Sequence, residues 1–96
     1  MVVKIGGIDY EVIEEHNLFA YDGTTRLNGH IVYDKCQIRI DDTLDPQAKN
    51  QTMWHEILHG ILTHAGIDEQ SETHIDIIAY GIIQVLRDNP DLVRVH

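Results

Sequence analysis

Cysteine, basic residues and long apolar runs are all scarce in this chain. Cys36 is the only cysteine, so an intramolecular disulfide is excluded and a reducing compartment is favoured. Seven Lys and Arg residues stand against sixteen Asp and Glu residues, and the net charge of −9 argues against binding to nucleic acid. No apolar stretch is long enough to cross a bilayer, and Met1–Gly7 lacks the apolar core of a signal peptide. We therefore predict a cytoplasmic protein with no nucleic-acid or membrane contacts.

The first half of the chain reads as short strands. A length of 96 residues, 43% of them hydrophobic, fits a single domain over residues 1–96. Val2–Ile5 and the alternating run Ile8–Ile13 flank two consecutive glycines, which predicts a hairpin. Leu27–Tyr33 and Gln37–Asp41 predict a second antiparallel pair. The expected product is a small antiparallel sheet.

The second half reads as two helices. Asp45 and Pro46 form a helix start, with Asp as the N-cap and Pro at the first helical position. Apolar residues recur at helical spacing until Gly66, a helix stop; they are Ala48, Met53, Trp54, Ile57, Leu58, Ile61, Leu62 and Ala65. A second stripe ends at Asn89-Pro90 and comprises Ile75, Ile78, Ala79, Ile82, Val85 and Leu86. The predicted fold class is α+β, a sheet followed by a two-helix hairpin.

The first predicted helix contains the motif His55-Glu56-Ile57-Leu58-His59. Positions i and i+4 share one face of a helix, so both imidazoles can aim a nitrogen at one Zn²⁺ ion. Glu56 borders that face and is placed to contact a water rather than the metal. The spacing therefore predicts a metal-activated hydrolase, with His55 and His59 as ligands and Glu56 as the catalytic base.

A third metal ligand is expected from the second helix. In an antiparallel hairpin with its loop centred near Ile67, Asp76 is nearly level with the His pair, and Glu72 lies one turn closer to the loop on the same face. One carboxylate can bind the metal while the other holds a ligand His by its second nitrogen. Position along the helix relative to the His pair favours Asp76, and the longer side chain favours Glu72, so both stay candidate metal ligands.

Several stretches of the chain resemble those of one protein family. They are His55–Leu62, Ile75–Asp76, Ala79–Ile82 and Val85–Pro90, and they resemble the short zinc-peptidase-like proteins of phages and prophages, which are similar to the ImmA/IrrE-type metallopeptidases. The resemblance implies a zinc site, a minimal zincin-like fold and cleavage of a repressor protein. The chain lacks the extra helical lobe of the better-known members, and residues 74–79 lack their Glu-Ala-(Asn/Asp)-x-Phe-Ala pattern.

The expected activity is zinc-dependent hydrolysis of a protein or peptide, with a repressor as the substrate that the resemblance implies. Gln37–Asp41, the strand before the helix, is expected to pair with an extended peptide. A domain of this size has a narrow stability margin, so a homodimer is also considered. Two alternatives are a zinc-binding interaction module without turnover, also of phage origin, and an α+β domain without metal.

Overall fold

A computed structural model of the chain describes residues 1–95. His96, the last residue of the predicted domain, lies outside the described residues. The fold is α+β, a four-stranded sheet followed by two helices, as predicted. The elements are β1 (Val2–Ile5), β2 (Ile8–Glu15), β3 (Gly29–Val32), β4 (Gln37–Asp41), α1 (Pro46–His64) and α2 (Glu72–Asp88), with short 3₁₀ helices at Tyr33–Lys35 and Pro90–Val95.

Both predicted antiparallel strand pairs are present. β1 and β2 form a hairpin in which Ile5 pairs with Ile8. Gly6 and Gly7 connect them at φ values of 57° and 81°, in the left-handed region that glycine adopts without steric cost. β3 and β4 pair antiparallel across the Tyr33–Lys35 turn.

The prediction of a wholly antiparallel sheet was wrong, because the sheet is mixed. Its strand order is β1-β2-β4-β3, and β4 lies between β3, to which it is antiparallel, and β2, to which it is parallel. Residues 16–28 carry the chain from the end of β2 past the position of β4 to the sheet edge. Alternation of polar and apolar residues sets which side chains face inward; it does not set which strands are neighbours.

The connection between β2 and β3 is tied to the end of β4 by Asp41. This carboxylate is buried and accepts hydrogen bonds from the Leu18 N–H at 3.1 Å and from the N–H and hydroxyl of Thr43 at 2.9 and 2.6 Å. The Thr43 hydrogen bonds hold the pKa of Asp41 well below its usual range, assisted by Leu18 and by Arg26. These hydrogen bonds thereby fix the connection that leads into β3, the edge strand next to the helices.

α1 begins and ends where the sequence predicts. The Asp45 carboxylate accepts from the Ala48 N–H at 2.8 Å, Pro46 follows as the first helical residue, and Gly66 lies beyond the last turn at φ 83°. The helix packs on the sheet around a core formed by Ile5, Tyr10, Ile31, Ile38, Ile40 and Ile57. A Cβ at Gly60 would lie 3.0 Å from the side chains of Ile5 and Ile31, so this glycine permits the close approach.

α2 packs mainly on α1 rather than on the sheet. Ser71 caps it by accepting from the His74 N–H at 3.2 Å. Only Ile75 and Ala79 are buried, and apolar side chains remain exposed at Ile77, Ile78, Tyr80 and Val85. Within the described chain, neither helix has the length and apolar character that a bilayer crossing requires. α2 is thus a lightly attached helix held against α1.

Candidate metal centre

The centre is built on one turn of α1. His55 and His59 lie on the same helix face, and their side chains are each 15% exposed. Their Nε2 atoms are 3.2 Å apart. The i, i+4 spacing thus brings two imidazole nitrogens to one point, as the motif predicts.

Glu72 reaches the same point from the first turn of α2. One carboxylate oxygen lies 2.8 Å from Nε2 of His55 and the other 2.9 Å from Nε2 of His59. The donor atoms of these three residues all lie within 4.8 Å of one another, and the group could hold a metal ion.

Asp76 contacts the opposite side of one ring. Its Oδ1 lies 2.7 Å from Nδ1 of His55 and also accepts from the Gln51 amide at 3.1 Å. The two carboxylates that the sequence nominates are therefore both at the centre, on different nitrogens of the same imidazole. Glu72 lies on the shared Nε2 side, and Asp76 lies behind the ring.

Gln70 does for His59 what Asp76 does for His55, and sequence reasoning missed it. Its Oε1 lies 2.6 Å from Nδ1 of His59. Its amide nitrogen donates to the Thr63 hydroxyl at 3.0 Å and to the Ile67 carbonyl at 2.6 Å, which fixes the orientation of the amide. Gln70 lies in the loop between the helices, at no ligand spacing from the motif, so only the folded chain identifies it.

The donor set requires a positive charge at its centre. The Asp76 carboxylate and the Gln70 Oε1 can only accept, so each Nδ1 carries a proton. In neutral rings, both Nε2 atoms then present lone pairs to each other and to the Glu72 carboxylate. Converging lone pairs and a carboxylate repel unless a metal ion or added protons lie among them. Donors at zinc bond lengths on a tetrahedron are about 3.3 Å apart, close to the 2.8–3.2 Å observed here.

Glu56 lies beside the centre but not in it. Its side chain is 7% exposed, and its Oε1 accepts from the main-chain N–H of Ile31 on β3 at 3.1 Å. Burial raises the pKa of Glu56, an effect opposed by the nearby imidazoles of His55 and His59. Glu56 is therefore held by the edge strand β3. The Nε2 atoms of the two neighbouring imidazoles converge on Glu72 and not on Glu56.

A cavity of about 680 Å³ opens between β3 and the helices. Its helical wall carries all five predicted site residues, His55, Glu56, His59, Glu72 and Asp76, and its opposite wall carries Arg26–Ile31 and Tyr33. Tyr80, one turn beyond Asp76 on α2, is 62% exposed and lines a separate groove together with Trp54. His74 is exposed at the start of α2 and is not part of the metal-binding group.

Comparison with protein-family models, with curated proteins and with solved structures gave no significant match for this chain. Within the described residues, the fold and the centre define an α+β protein in which two histidines and a glutamate could hold a metal ion.

Proposed function

We propose that the protein is a zinc-dependent metallopeptidase with a minimal zincin-like fold. The observation that carries this proposal is the pair of imidazoles whose Nδ1 atoms contact Asp76 and Gln70 and whose Nε2 atoms converge with Glu72. The acidic Glu56 next to this set adds a candidate base. Two histidines, one carboxylate and a neighbouring glutamate match the donor set of zinc hydrolases.

In this proposal His55, His59 and Glu72 hold the zinc. Asp76, the other candidate, fixes the tautomer and orientation of His55, and Gln70 does the same for His59. Outer-shell partners of this kind raise the basicity of the ligand nitrogen and keep the ring aimed at the metal. When bound, zinc supplies Lewis acidity, which polarises the scissile carbonyl and makes water acidic near neutral pH.

The protein's own part in the reaction falls to Glu56. Its carboxylate takes a proton from the attacking water and passes that proton to the leaving amine. The burial of Glu56 suits this role, because a buried carboxyl group holds the transferred proton more readily than an exposed one.

The proposed substrate is an extended protein or peptide. The expectation that β4 pairs with it was wrong, because β4 lies between β2 and β3 and has no free edge. β3 is the edge strand that lines the cavity, so pairing with a substrate strand falls to the main-chain groups of β3 other than the Ile31 N–H, which donates to Glu56. A repressor as substrate, a phage origin and a cytoplasmic site of action are part of the proposal and rest on the resemblance and on composition.

Metal analysis of the full chain, expressed without a His tag, tests the zinc site. We expect about one zinc ion per chain by plasma mass spectrometry and its loss in His59→Ala. His74→Ala is the matched control, because it removes an exposed histidine from α2 without touching the donor group. Zinc in His59→Ala at the wild-type level would overturn the proposed site.

Glu56→Gln separates an enzyme from a binding module. The variant keeps its zinc but loses the carboxylate, so hydrolysis of a quenched fluorescent peptide, chosen from a peptide library, should fall by about 10² or more. If wild-type protein and Glu56→Gln both carry zinc and neither cleaves any library peptide or unfolded casein, the peptidase proposal fails and a zinc-binding module remains.

A further inference from the structure

The edge strand β3 approaches α1 closely only because residue 29 is glycine. A Cβ built at Gly29 would lie well inside van der Waals contact of the Thr52 methyl group and 3.3 Å from Cγ of Glu56. Gly29 does not have a positive φ, so alanine is compatible with its backbone conformation. The need for glycine is therefore one of space, against the helix residue one turn before the proposed base.

This approach places one main-chain donor on the Glu56 carboxylate. The Asp41 N–H donates to the Asn28 carbonyl, and the hydrogen-bonding direction alternates along an antiparallel pair. The N–H of Ile31 thus points away from β4, toward α1, where it meets Oε1 of Glu56 at 3.1 Å. The sheet edge thus gives the carboxylate a main-chain partner, whose position does not depend on the rotamer of a second side chain.

A main-chain partner matters because Glu56 lies beside a site for a cation. A free carboxylate next to that charge would be drawn into the donor set and would fill the position that water needs. An N–H held on one oxygen resists this movement and leaves the second oxygen for the proton transfer.

We propose that β3 positions the catalytic base: the Ile31 N–H anchors Glu56 beside the metal centre rather than in it, and Gly29 is the positioning residue that permits this contact. The proposal rests on the metallopeptidase function proposed above. In this role Gly29 acts through Glu56; any pairing of β3 with a substrate strand uses main-chain groups, which Gly29→Ala keeps.

The test is a substitution and its steric rescue in the zinc-loaded full chain. Gly29→Ala should lower kcat for the quenched fluorescent peptide by about tenfold or more, with KM changed less than about threefold and zinc content unchanged. Adding Thr52→Ser removes the methyl group that the new Cβ meets and should restore most of the lost kcat. Gly81→Ala is the control, because a Cβ there meets nothing within 4 Å.

A second readout does not depend on hydrolysis. The Ile31 amide proton should exchange slowly in the wild-type protein, should lose at least tenfold protection in Gly29→Ala and in Glu56→Ala, and should regain it in Gly29→Ala/Thr52→Ser. Wild-type kcat in Gly29→Ala, or an Ile31 amide that exchanges equally fast in all variants, overturns the positioning role. Absence of hydrolysis by the wild-type protein overturns the metallopeptidase proposal instead, while the exchange pattern still tests the contact.

Discussion

Two carboxylates of α2 contact a single imidazole ring from opposite sides, and they are expected to differ in their effect on the metal. Glu72 lies on the Nε2 side that His55 shares with His59, whereas Asp76 lies at Nδ1. Glu72→Ala removes a proposed ligand and should abolish measurable zinc binding in a competition titration with a chromogenic chelator. Asp76→Ala removes an orienting partner and should weaken binding by about 10–100-fold. The reverse order would make Asp76 the ligand.

A second residue-scale prediction concerns the buried carboxylate that holds the β2–β3 connection. Because hydrogen bonds lower the pKa of Asp41 in the folded state, its contribution to stability is complete above the unfolded value, near pH 4, and declines as the pH falls. Asp41→Asn should therefore lower the free energy of unfolding at pH 7, and its difference from wild type should shrink toward pH 3. Urea unfolding at both pH values measures this; an equal gap at both would contradict the assignment.

At the scale of elements, the end of α1 farthest from the loop is held by its cap. Asp45→Ala leaves the Ala48 N–H without its partner and should lower the free energy of unfolding by about 1 kcal/mol. The cap is more than two helical turns from His55, so zinc affinity should not change. A variant that unfolds like wild type would show that the cap does not stabilise this end of α1, and one that loses zinc affinity would show that the two ends of α1 are coupled.

Local patterns in the sequence define the elements and the motif. Asp45 and Gly66 mark the ends of α1 because capping depends on neighbouring residues, and the His pair converges because i, i+4 spacing is a property of any helix. The neighbours of β4 were not predictable, since strand order depends on how a 13-residue connection, residues 16–28, crosses the sheet.

The same distinction holds within the site. Glu72 and Asp76 could be nominated because loop length and helix period place them opposite the His pair. Gln70 and the Ile31 N–H could not, because one depends on the conformation of a loop and the other on which strand lies at the sheet edge.

At the scale of the whole molecule, the proposed metal joins two parts that are otherwise weakly connected. α2 buries only Ile75 and Ala79 but supplies Glu72, whereas α1 is packed on the sheet. A ligand at 100 times its Kd stabilises the folded state by about 2.7 kcal/mol, which is roughly 10 °C or more in Tm for a domain of this size.

The homodimer stays a prediction; the exposed apolar residues of α2 are where it can be examined.

Removal of zinc by EDTA should therefore lower Tm by about 10 °C or more. It should also accelerate amide exchange in α2 more than in β4, because α2 loses the larger share of its attachments. Re-addition of zinc should reverse both effects, and His59→Ala should show neither. Chelation without any change in Tm or in α2 exchange would mean that no metal joins the two helices.

The contact between Ile31 and Glu56 has a genetic consequence. Every residue except proline has a main-chain N–H, so the donor is kept in eighteen of the nineteen replacements at position 31. Those eighteen replacements would record only how well each side chain fills the space between α1 and the sheet, and none of them would reveal the donor. Proline at that position, or backbone ester chemistry, is the way to delete this half of the interaction and leave the glutamate in place.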